Sequence, residues 1–574
     1  MGRVFIVGWD GATFDLIEPW VAEGKLPNIA EVMRNGAHGE LRSTLPPMTF
    51  TAWSSFMTGK NPGKHGIYDF TRQRPGTYDL EFVNGGQRKA VSFWKLLSDA
   101  GRKVISISVP CTYPPEKVDG VMLSGFDAAG LGGSSSKLDA RGMYPPDIYD
   151  ELENTVVGHP IGSFPVAEIN AGQPEAAVKK ILDVIGRKAA TAKYLIQKYD
   201  WDCAMVLFGE SDGAGHHFWK YCDGRSPQFT YEPPSMRDSI LRVYEELDRQ
   251  LGELKQLLPM DTTLLMMSDH GFGGVSSTAL FPNCWLREQG MLGFRGGFSR
   301  WTSRRLDAIK LRAVARLPNR IQRFLSRFAR KQLGGIEAKV RYGIINWANT
   351  KAYFEENPYY PSLRINLKGR QPQGVVEPGE EYERLRTALL ERLEDWRHPE
   401  TGERIVERAY RREEVYEGPH LDEAPDIVVH WSTHKDYTYA FKVSSKSKKL
   451  SWIEDIDPFR PENFAFFTGK SGSHRDNGIF LAEGPGVQSG VTLDGANIID
   501  MAPTILHLLG VPAPNDMDGR ALVEMLEGDA AAAEVAIGAA GKDLPAFEST
   551  AEENYTADDK VVISERLRAL GYIE

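Results

Sequence analysis

Six runs of almost uninterrupted apolar residues alternate along the chain with longer amphipathic stretches. The runs cover residues 3–9, 103–110, 203–209, 262–268, 426–431 and 478–484. Because they lack the alternation of a half-exposed strand, they predict strands that are buried on both faces of a sheet. Residues 174–199 and 235–258 have the helical patterns expected between such strands. This order predicts an α/β fold with a mostly parallel, doubly wound sheet.

Two other regions have different patterns. Residues 300–331 carry eleven Arg or Lys residues and one acid, Asp307. This basic segment predicts either a solvated helical insertion, a cap over a site, or an amphipathic surface that meets anionic lipid or substrate. Beyond residue 525 the chain is rich in Ala, Gly and acids, which is typical of a linker. Residues 561–574 are amphipathic enough to dock as a short terminal helix.

Composition narrows the class of protein. The chain has 574 residues, of which 41% are hydrophobic and 25% charged, as in an ordinary soluble protein. A net charge of −10 gives no support to a nucleic-acid partner. No apolar run reaches the length of a membrane span, and the N-terminus does not have a signal-peptide pattern. The four cysteines are far apart and fit no CxxC pattern, which favours reduced thiols and a cytoplasmic location.

Acids and histidines stand where the apolar runs end or begin. The candidates are Asp10, Asp212, His216, Asp269, His270 and His474. Because the carboxyl ends of parallel strands share one edge of a sheet, we expect these side chains to converge, with His474 on a loop entering the strand at 478. Asp212 and His216 are four residues apart and share one face of a helix. Zn²⁺ or Mn²⁺ accepts this mixture of carboxylate and imidazole.

A nucleophile is offered by the segment "TLPPMTFTAWSSFMTG", which begins at residue 44. Its two prolines favour an extended entry, and the following residues have helical character. Thr49 would lie at the start of that helix, where its hydroxyl meets the positive end of the dipole and free N–H groups. The alternative is that Thr49 is only an N-cap. Ser54, Ser55 and Thr58 are weaker candidates because they lie inside the helix or at its end.

Five segments together resemble a known family. They are "GWDGATFD", "PPMTFTAWSSFMTGKNPGKHGI", "SDGAGHHFW", "SDHGF" and "GSHRDNGIF". In this order they resemble the alkaline phosphatase superfamily, in its branch of type I phosphodiesterases and nucleotide pyrophosphatases, over roughly residues 1–525. The resemblance implies an alkaline-phosphatase-like three-layer sandwich with a mostly parallel central sheet and an inserted helical cap.

The resemblance also implies a division of the chain. Residues 1–290 and 420–525 would form the metallo-phosphohydrolase core. Residues 291–419 would form an inserted cap or substrate region that includes the basic segment. Residues 526–574 would be a linker and a C-terminal helix.

The resemblance further implies two divalent ions, expected to be zinc, with manganese as the alternative. One ion would be held by Asp212, His216 and His474, and the other by Asp10, Asp269, His270 and the oxygen of Thr49. Two such ions stabilise the entering and leaving oxygens of a displacement at phosphorus. Thr49 would attack a phosphodiester or pyrophosphate, and water would hydrolyse the resulting phospho-threonine.

The chain departs from the family pattern after the nucleophile. Nucleotide pyrophosphatases typically continue with Phe-Pro-Asn-His, whereas this chain continues with Phe-Thr-Ala-Trp. The position of their phosphate-binding asparagine falls on Phe70. We therefore expect the backbone N–H of Phe50, with help from Lys60 or Lys64, to contact the phosphate, although solvated loop lysines are the alternative. Arg370 could also meet a phosphate, and a structural turn is the alternative there.

Two further hypotheses remain open. A phosphomutase related to the superfamily would transfer the phosphoryl group to a sugar phosphate. A non-catalytic scaffold would use the basic segment at an anionic membrane surface and keep a residual metal site. A sulfatase is disfavoured, because "TFTAW" lacks the Cys or Ser followed by Pro and Arg of that group. The expected partner is a small phosphoester, and the oligomeric state is left open.

Overall fold

The computed structural model describes residues 2–128, 140–155, 164–231, 233–295, 334–459, 470–528, 531, 533–538, 555 and 557–569. The basic segment 300–331 lies outside the described residues, as does much of the expected linker and terminal helix at 526–574.

A large mixed sheet forms the centre of the described chain. In spatial order its strands are Val491–Thr492, Ala37–Arg42, Asn477–Glu483, Thr262–Met267, Arg3–Trp9, Cys203–Phe208, Val104–Val109, Gly120–Ser124 and Met143–Tyr144, and Ala496–Asn497 also pairs with Ala37–Arg42. The five neighbours from Thr262–Met267 to Gly120–Ser124 run parallel. The predicted mostly parallel α/β sheet is therefore confirmed.

Both faces of this sheet are covered by helices. Alternate residues of the strand Arg3–Trp9 enter two separate cores, Phe5 and Val7 on one side and Val4 and Ile6 on the other. The first core is closed by the helices Pro174–Lys198 and Ser239–Lys255. The second is closed by the helices Thr49–Thr58, Phe93–Asp99 and Met501–Leu508. Burial on both faces explains why these strands are apolar throughout.

The remaining helices surround these layers. They are Phe14–Ala22, Pro27–Asn35, Pro62–His65, Ile148–Thr155, Val166–Asn170, Glu210–Cys222, Pro282–Glu288, Gly334–Tyr342, Glu380–Glu394, Arg412–Val415 and Ala557–Ala569. Among the described residues, none of the helices combines the length and apolarity needed to cross a lipid bilayer.

Smaller sheets flank the central one. A five-stranded sheet contains Thr433–His434, Tyr437–Phe441, Gly271–Leu280, Ile453–Asp455 and Gly472–Arg475. An antiparallel four-stranded sheet contains Ala352–Phe354, Leu363–Ile365, Ile427–Trp431 and Val406–Arg411. Two-stranded pairs join Thr71–Gln73 to Leu80–Phe82 and Ala513–Pro514 to Ile537–Gly538. Residues 291–419, predicted as an inserted region, thus supply three strands of the four-stranded sheet as well as helices.

The structure corrects three details of the sequence analysis. The apolar run 426–431 lies in the four-stranded sheet and not in the central one, because an apolar run reports burial without specifying a sheet. The strand Asn477–Glu483 runs antiparallel to Thr262–Met267, so it begins at the edge where the parallel strands end. His474 is not on a loop but within the strand Gly472–Arg475, which pairs with Gly271–Leu280.

Candidate active site

Six buried acid and histidine side chains gather in two groups at the carboxyl edge of the parallel strands. The groups are Asp212, His216 and His474, and Asp10, Asp269 and His270. Within each group the candidate ligand atoms all lie within 4.8 Å of one another. The structure therefore brings together every acid and histidine that the sequence singled out.

The first group joins the helix Glu210–Cys222 to the strand Gly472–Arg475. Asp212 and His216 face the same way on the helix, and Asp212 Oδ1 lies 3.2 Å from His216 Nε2. The strand brings His474 Nε2 to 3.5 Å from Asp212 Oδ1 and 3.2 Å from His216 Nε2. Three polar atoms from two elements thus face one point.

The second group lies where two central strands end. Asp10 follows the strand Arg3–Trp9, while Asp269 and His270 follow Thr262–Met267. His270 Nε2 lies 3.5 Å from Asp10 Oδ1 and 3.4 Å from Asp269 Oδ2. Thr49 Oγ1 completes this group at 3.5 Å from the same nitrogen.

The two groups adjoin through their imidazoles. The rings of His270 and His474 stack with their centroids 3.6 Å apart and an interplanar angle of 16°. The backbone supports this contact, because His474 pairs with Phe272 in an antiparallel ladder. The candidate site is therefore one continuous cluster with two centres.

Each of three histidines is oriented by a backbone carbonyl. The Nδ1 atoms of His216, His270 and His474 lie 2.8–2.9 Å from the carbonyl oxygens of Gly472, Gly271 and Pro47. Because a carbonyl oxygen only accepts, each Nδ1 must carry a hydrogen and donate it. In the neutral ring this leaves the Nε2 lone pair facing the cluster, which is the usual arrangement of a metal-binding histidine.

The electrostatics of the cluster favour a bound cation. Burial and the nearby carboxylates of Asp269 and Asp212 raise the pKa of Asp10 well above its ordinary value. Burial and Asp212 likewise raise the pKa of Asp269. Neither Asp10 Oδ1 nor Asp269 Oδ2 receives a hydrogen bond from any of the described residues, although both are buried. A bound cation would stabilise the ionised form of buried acids whose pKa is raised and whose oxygens receive no hydrogen bond.

His270 and His474 favour the neutral form that binds metals. Burial, and next the neighbouring imidazole of His474, lower the pKa of His270 well below its ordinary value. Burial also lowers the pKa of His474. Neutral imidazoles and crowded carboxylates together form the donor set that zinc accepts.

The spacing of the donor atoms also fits such an ion. A tetrahedral ion with bonds of about 2.0–2.1 Å holds its ligands about 3.3–3.4 Å apart. The distances within the first group are 3.2–3.5 Å. The distances from His270 Nε2 to the three oxygens of the second group are 3.4–3.5 Å. Both groups therefore have the dimensions of a metal site.

Glycine permits the close packing around the cluster. Gly11 has a φ of +66°, and a Cβ there would lie 2.9 Å from the ring of Phe272 and 3.2 Å from Asp212 Cβ. A Cβ at Gly472 would lie 2.4 Å from the carbonyl oxygen of Gly215. Larger residues at these positions would push Asp10 and His474 away from the cluster.

Thr49 is the first residue of its helix and not the N-cap. Met48 is the N-cap, and its side chain makes no capping bond. The Thr49 hydroxyl points to His270 in the cluster. Phe50 is the second residue of the helix, where a backbone N–H has no partner within the helix. The hydroxyls of Ser55 and Thr58 bond instead to His65 Nε2 and the carbonyl oxygen of Ser54.

The side chains expected to contact substrate lie elsewhere. Lys60 Nζ pairs with Asp516 at 2.6 Å, and Lys64 pairs with Asp518. Both lysines follow the far end of the helix Thr49–Thr58, which is about 15 Å long. The structure therefore does not bring either ammonium group to Thr49.

Two other positions considered for phosphate binding also have structural contacts. Arg370 pairs with Asp426 and donates to the carbonyl oxygen of Ile365, as the structural-turn alternative expects. Phe70 packs its ring 4.5 Å from that of Phe50 and supplies no polar atom in place of an asparagine side chain.

Two aromatic residues of the site were not singled out in the sequence. Trp53 Nε1 donates to Asp10 Oδ2 at 3.0 Å and so orients that carboxylate. The hydroxyl of Tyr359 lies 3.2 Å from His216 Nε2. Trp53 lies on the same helix face as Thr49 and Phe56, and this spacing could have signalled it. Tyr359 comes from the inserted region, where no local pattern points to the site.

The segment that carries Tyr359 contains a buried acid with a testable pH response. Glu356 Oε1 accepts hydrogen bonds from the N–H and hydroxyl of Ser444, whereas Oε2 receives none from the described residues. Burial raises the pKa of Glu356 from 4.5 to about 8. The folded state therefore holds this proton between those values while the unfolded state loses it, so the group lowers stability as pH rises through that window.

We expect Glu356→Gln to remove this dependence. At pH 8 the variant should exceed the wild type in stability by at least about 1 kcal/mol, and near pH 5 the two should be similar. Thermal unfolding of both proteins at the two pH values measures the difference. An equal difference in stability between variant and wild type at pH 5 and pH 8 would contradict the raised pKa assigned to Glu356.

Known proteins resemble this chain in sequence and in fold. The model of the family described as "Type I phosphodiesterase / nucleotide pyrophosphatase" matches residues 4–455. No curated protein sequence matches the chain significantly. A solved structure of phosphonoacetate hydrolase from Sinorhizobium meliloti 1021 with phosphonoacetate is similar, with a TM-score of 0.50 and 14% identity over 89% of this chain and 96% of that one. At that identity, the likeness shows the fold alone.

Two mammalian structures are also similar over most of the chain. Murine ectonucleotide pyrophosphatase / phosphodiesterase 5 has a TM-score of 0.46 and 14% identity, over 92% of this chain and 100% of that one. The human protein of the same name has a TM-score of 0.45, with the same identity and coverage.

Proposed function

Because the chain belongs to the type I phosphodiesterase / nucleotide pyrophosphatase family, and is therefore an enzyme that acts on phosphate esters, we propose that it hydrolyses phosphodiester or pyrophosphate bonds with Thr49 as the nucleophile. The observation that carries this proposal is the position of the Thr49 hydroxyl. It lies at the start of a helix and 3.5 Å from His270 Nε2, within the cluster of carboxylates and imidazoles.

The donor set supports two divalent ions, zinc in the first instance and manganese as the alternative. Asp212, His216 and His474 would hold one, and Asp10, Asp269, His270 and Thr49 Oγ1 the other. Such ions lower the pKa of a bound hydroxyl group and neutralise charge that develops on phosphate oxygens. Orphaned carboxylate oxygens, neutral imidazoles and donor spacing all support this assignment.

The residues of the chain account for the remaining steps. Thr49 Oγ1 loses its proton to solvent and forms a bond to phosphorus as the bond from phosphorus to the leaving group breaks, giving phospho-threonine, and the leaving group takes a proton from solvent. Water then breaks the bond between phosphorus and Thr49 Oγ1, restores the threonine hydroxyl and releases the second product. During both displacements, the backbone N–H of Phe50 at the helix start donates to a phosphoryl oxygen.

Burial of the cluster contributes to the chemistry. Thr49, Asp10 and His270 are all buried, so charge on the phosphoryl group interacts with the cluster in a medium of low dielectric. Trp53 holds Asp10, and backbone carbonyls hold the imidazoles, so little reorganisation is needed during the reaction. With the two ions bound, the site would be preorganised for the negative charge of the phosphoryl group.

A comparison of a diester with a monoester tests the proposal. Bis-p-nitrophenyl phosphate should be hydrolysed with a kcat/KM at least about tenfold above that of p-nitrophenyl phosphate, a difference of about 1.4 kcal/mol in transition-state stabilisation. Elemental analysis of the same preparation should find zinc or manganese.

Other outcomes would favour the remaining hypotheses. Transfer of phosphate to a sugar phosphate in place of water would indicate a phosphomutase. No turnover with any divalent metal, together with binding to anionic liposomes, would indicate a scaffold.

A further inference from the structure

Tyr359, from the predicted inserted region, contacts the candidate site. It is buried, and its hydroxyl lies 3.2 Å from His216 Nε2. Its ring stacks on the imidazole of His474, with centroids 4.5 Å apart and an interplanar angle of 29°. The phenol thus contacts two of the three side chains of the first group.

The surrounding contacts hold Tyr359 in this position. Asn357 Oδ1 accepts the backbone N–H groups of Tyr359 and Tyr360 at 3.2 and 2.8 Å. The hydroxyl of Tyr360 donates to the carbonyl oxygen of His474 at 2.8 Å, which ties the turn to the strand of the site. The ammonium of Lys470 lies 3.9 Å from the centroid of the Tyr359 ring, on which His474 also packs. The ring is therefore fixed, and its hydroxyl oxygen has a defined place.

That place lies beside the ligand atoms of the first group, next to His216 Nε2. Asp212 Oδ1, His216 Nε2 and His474 Nε2 are separated by 3.2–3.5 Å, the spacing of three corners of a tetrahedral ion. The Tyr359 oxygen lies at the same 3.2 Å spacing from His216 Nε2. Catalytic zinc sites have three protein ligands and leave the fourth position for water or substrate.

We propose that the hydroxyl of Tyr359 would be the fourth ligand of an ion held by Asp212, His216 and His474, and that a phosphate oxygen would have to displace it to bind there. This inference rests on the proposed function, since it concerns access of the phosphoryl group to the same site. The inserted region thereby controls one metal centre through a single oxygen atom. Ligands that bind this centre compete with a group already in place.

The test compares Tyr359→Phe with the wild type after loading both full-length proteins with cobalt(II). Phenylalanine keeps the ring between His474 and Lys470 and removes only the oxygen, so the fold is preserved. The visible spectrum of bound cobalt reports its ligands independently of turnover. We expect different cobalt bands in the two proteins and about tenfold tighter binding of inorganic phosphate by the variant, because no phenol has to leave.

Saturating phosphate provides a second measurement. Once phosphate has displaced the phenol, the wild-type cobalt spectrum should become the same as that of the phosphate-bound variant. Tyr353→Phe is the matched control, because Tyr353 is also a buried tyrosine of the inserted region but donates to Gln73. It should have the spectrum and phosphate affinity of the wild type.

The outcomes separate this inference from the proposed function. Identical cobalt spectra and phosphate affinities in the wild type and Tyr359→Phe, in a protein that hydrolyses the diester, would overturn the inference alone. Equal shifts in Tyr359→Phe and Tyr353→Phe would also overturn it, since the effect would not belong to the cluster. A wild-type protein that takes up no cobalt and shows no turnover with any divalent metal would overturn both.

Discussion

Thr49→Ala is expected to lower the rate of diester hydrolysis by at least about a thousandfold, because it removes the hydroxyl oxygen that we propose forms the covalent intermediate. Metal content should remain near two ions per chain, since both groups of three acid and histidine ligands are retained. Steady-state kinetics and elemental analysis of the same preparation measure the two effects. Retained turnover in the variant would remove the role assigned to Thr49.

Two further variants sharpen this prediction. Thr51→Ala removes a buried hydroxyl from the same helix, two residues from Thr49, and should keep the wild-type rate. Thr49→Ser keeps a nucleophilic oxygen and should retain measurable turnover. A rapidly quenched wild-type reaction should contain phosphate on Thr49, detectable by peptide mass spectrometry.

Asp269→Asn should have the second largest effect. It should lower activity and metal content without lowering the stability of the metal-free protein. Diester hydrolysis should fall by at least about a hundredfold, and metal content should fall from two ions to one, because the Asp10, Asp269 and His270 group loses a charged ligand. The metal-free variant should unfold at the same temperature as metal-free wild type or higher. Burial and the charge of Asp212 both disfavour the ionised form of Asp269, as its raised pKa indicates.

Thermal unfolding with and without added zinc measures this prediction. The wild type should be stabilised by zinc through mass action, and the variant less so. Asp248→Asn is the matched control, because Asp248 is also buried but accepts hydrogen bonds from the start of the helix Pro27–Asn35. Asp248→Asn should bind two ions, and its metal-free form should unfold at a lower temperature than metal-free wild type. A variant of Asp269 that still binds two ions would contradict the ligand assignment.

The sequence predicts the centre of the fold well because buried parallel strands have a strong local signal. The runs 3–9 and 262–268 correspond to Arg3–Trp9 and Thr262–Met267 in the structure. The same topology explains why Asp10 and Asp269 meet, since both follow neighbouring parallel strands. The resemblance to the phosphodiesterase family is confirmed by the family match. The catalytic role of Thr49 and the metal assignments stay predictions.

The parts that could not be predicted depend on packing between distant segments. The apolar run 426–431 predicts a buried strand but does not specify which sheet the strand joins. Its place in a separate sheet follows only from tertiary contacts. Lys60 and Lys64 follow the nucleophile in sequence, yet their carboxylate partners come from residues more than 450 positions away. Tyr359 is one of many buried aromatic residues, and only the folded chain distinguishes it.

The pairing of His474 with Phe272 ties completion of the site to synthesis of the chain. Ribosomes make the N-terminal half first, so Asp10, Asp212 and Asp269 can assemble before the last histidine exists. Contacts over such long sequence separation form slowly. A nascent chain that has not yet emerged beyond residue 475 therefore lacks one member of the first group. The proposed ion of the first group therefore gains its full set of ligands only after His474 has emerged from the ribosome.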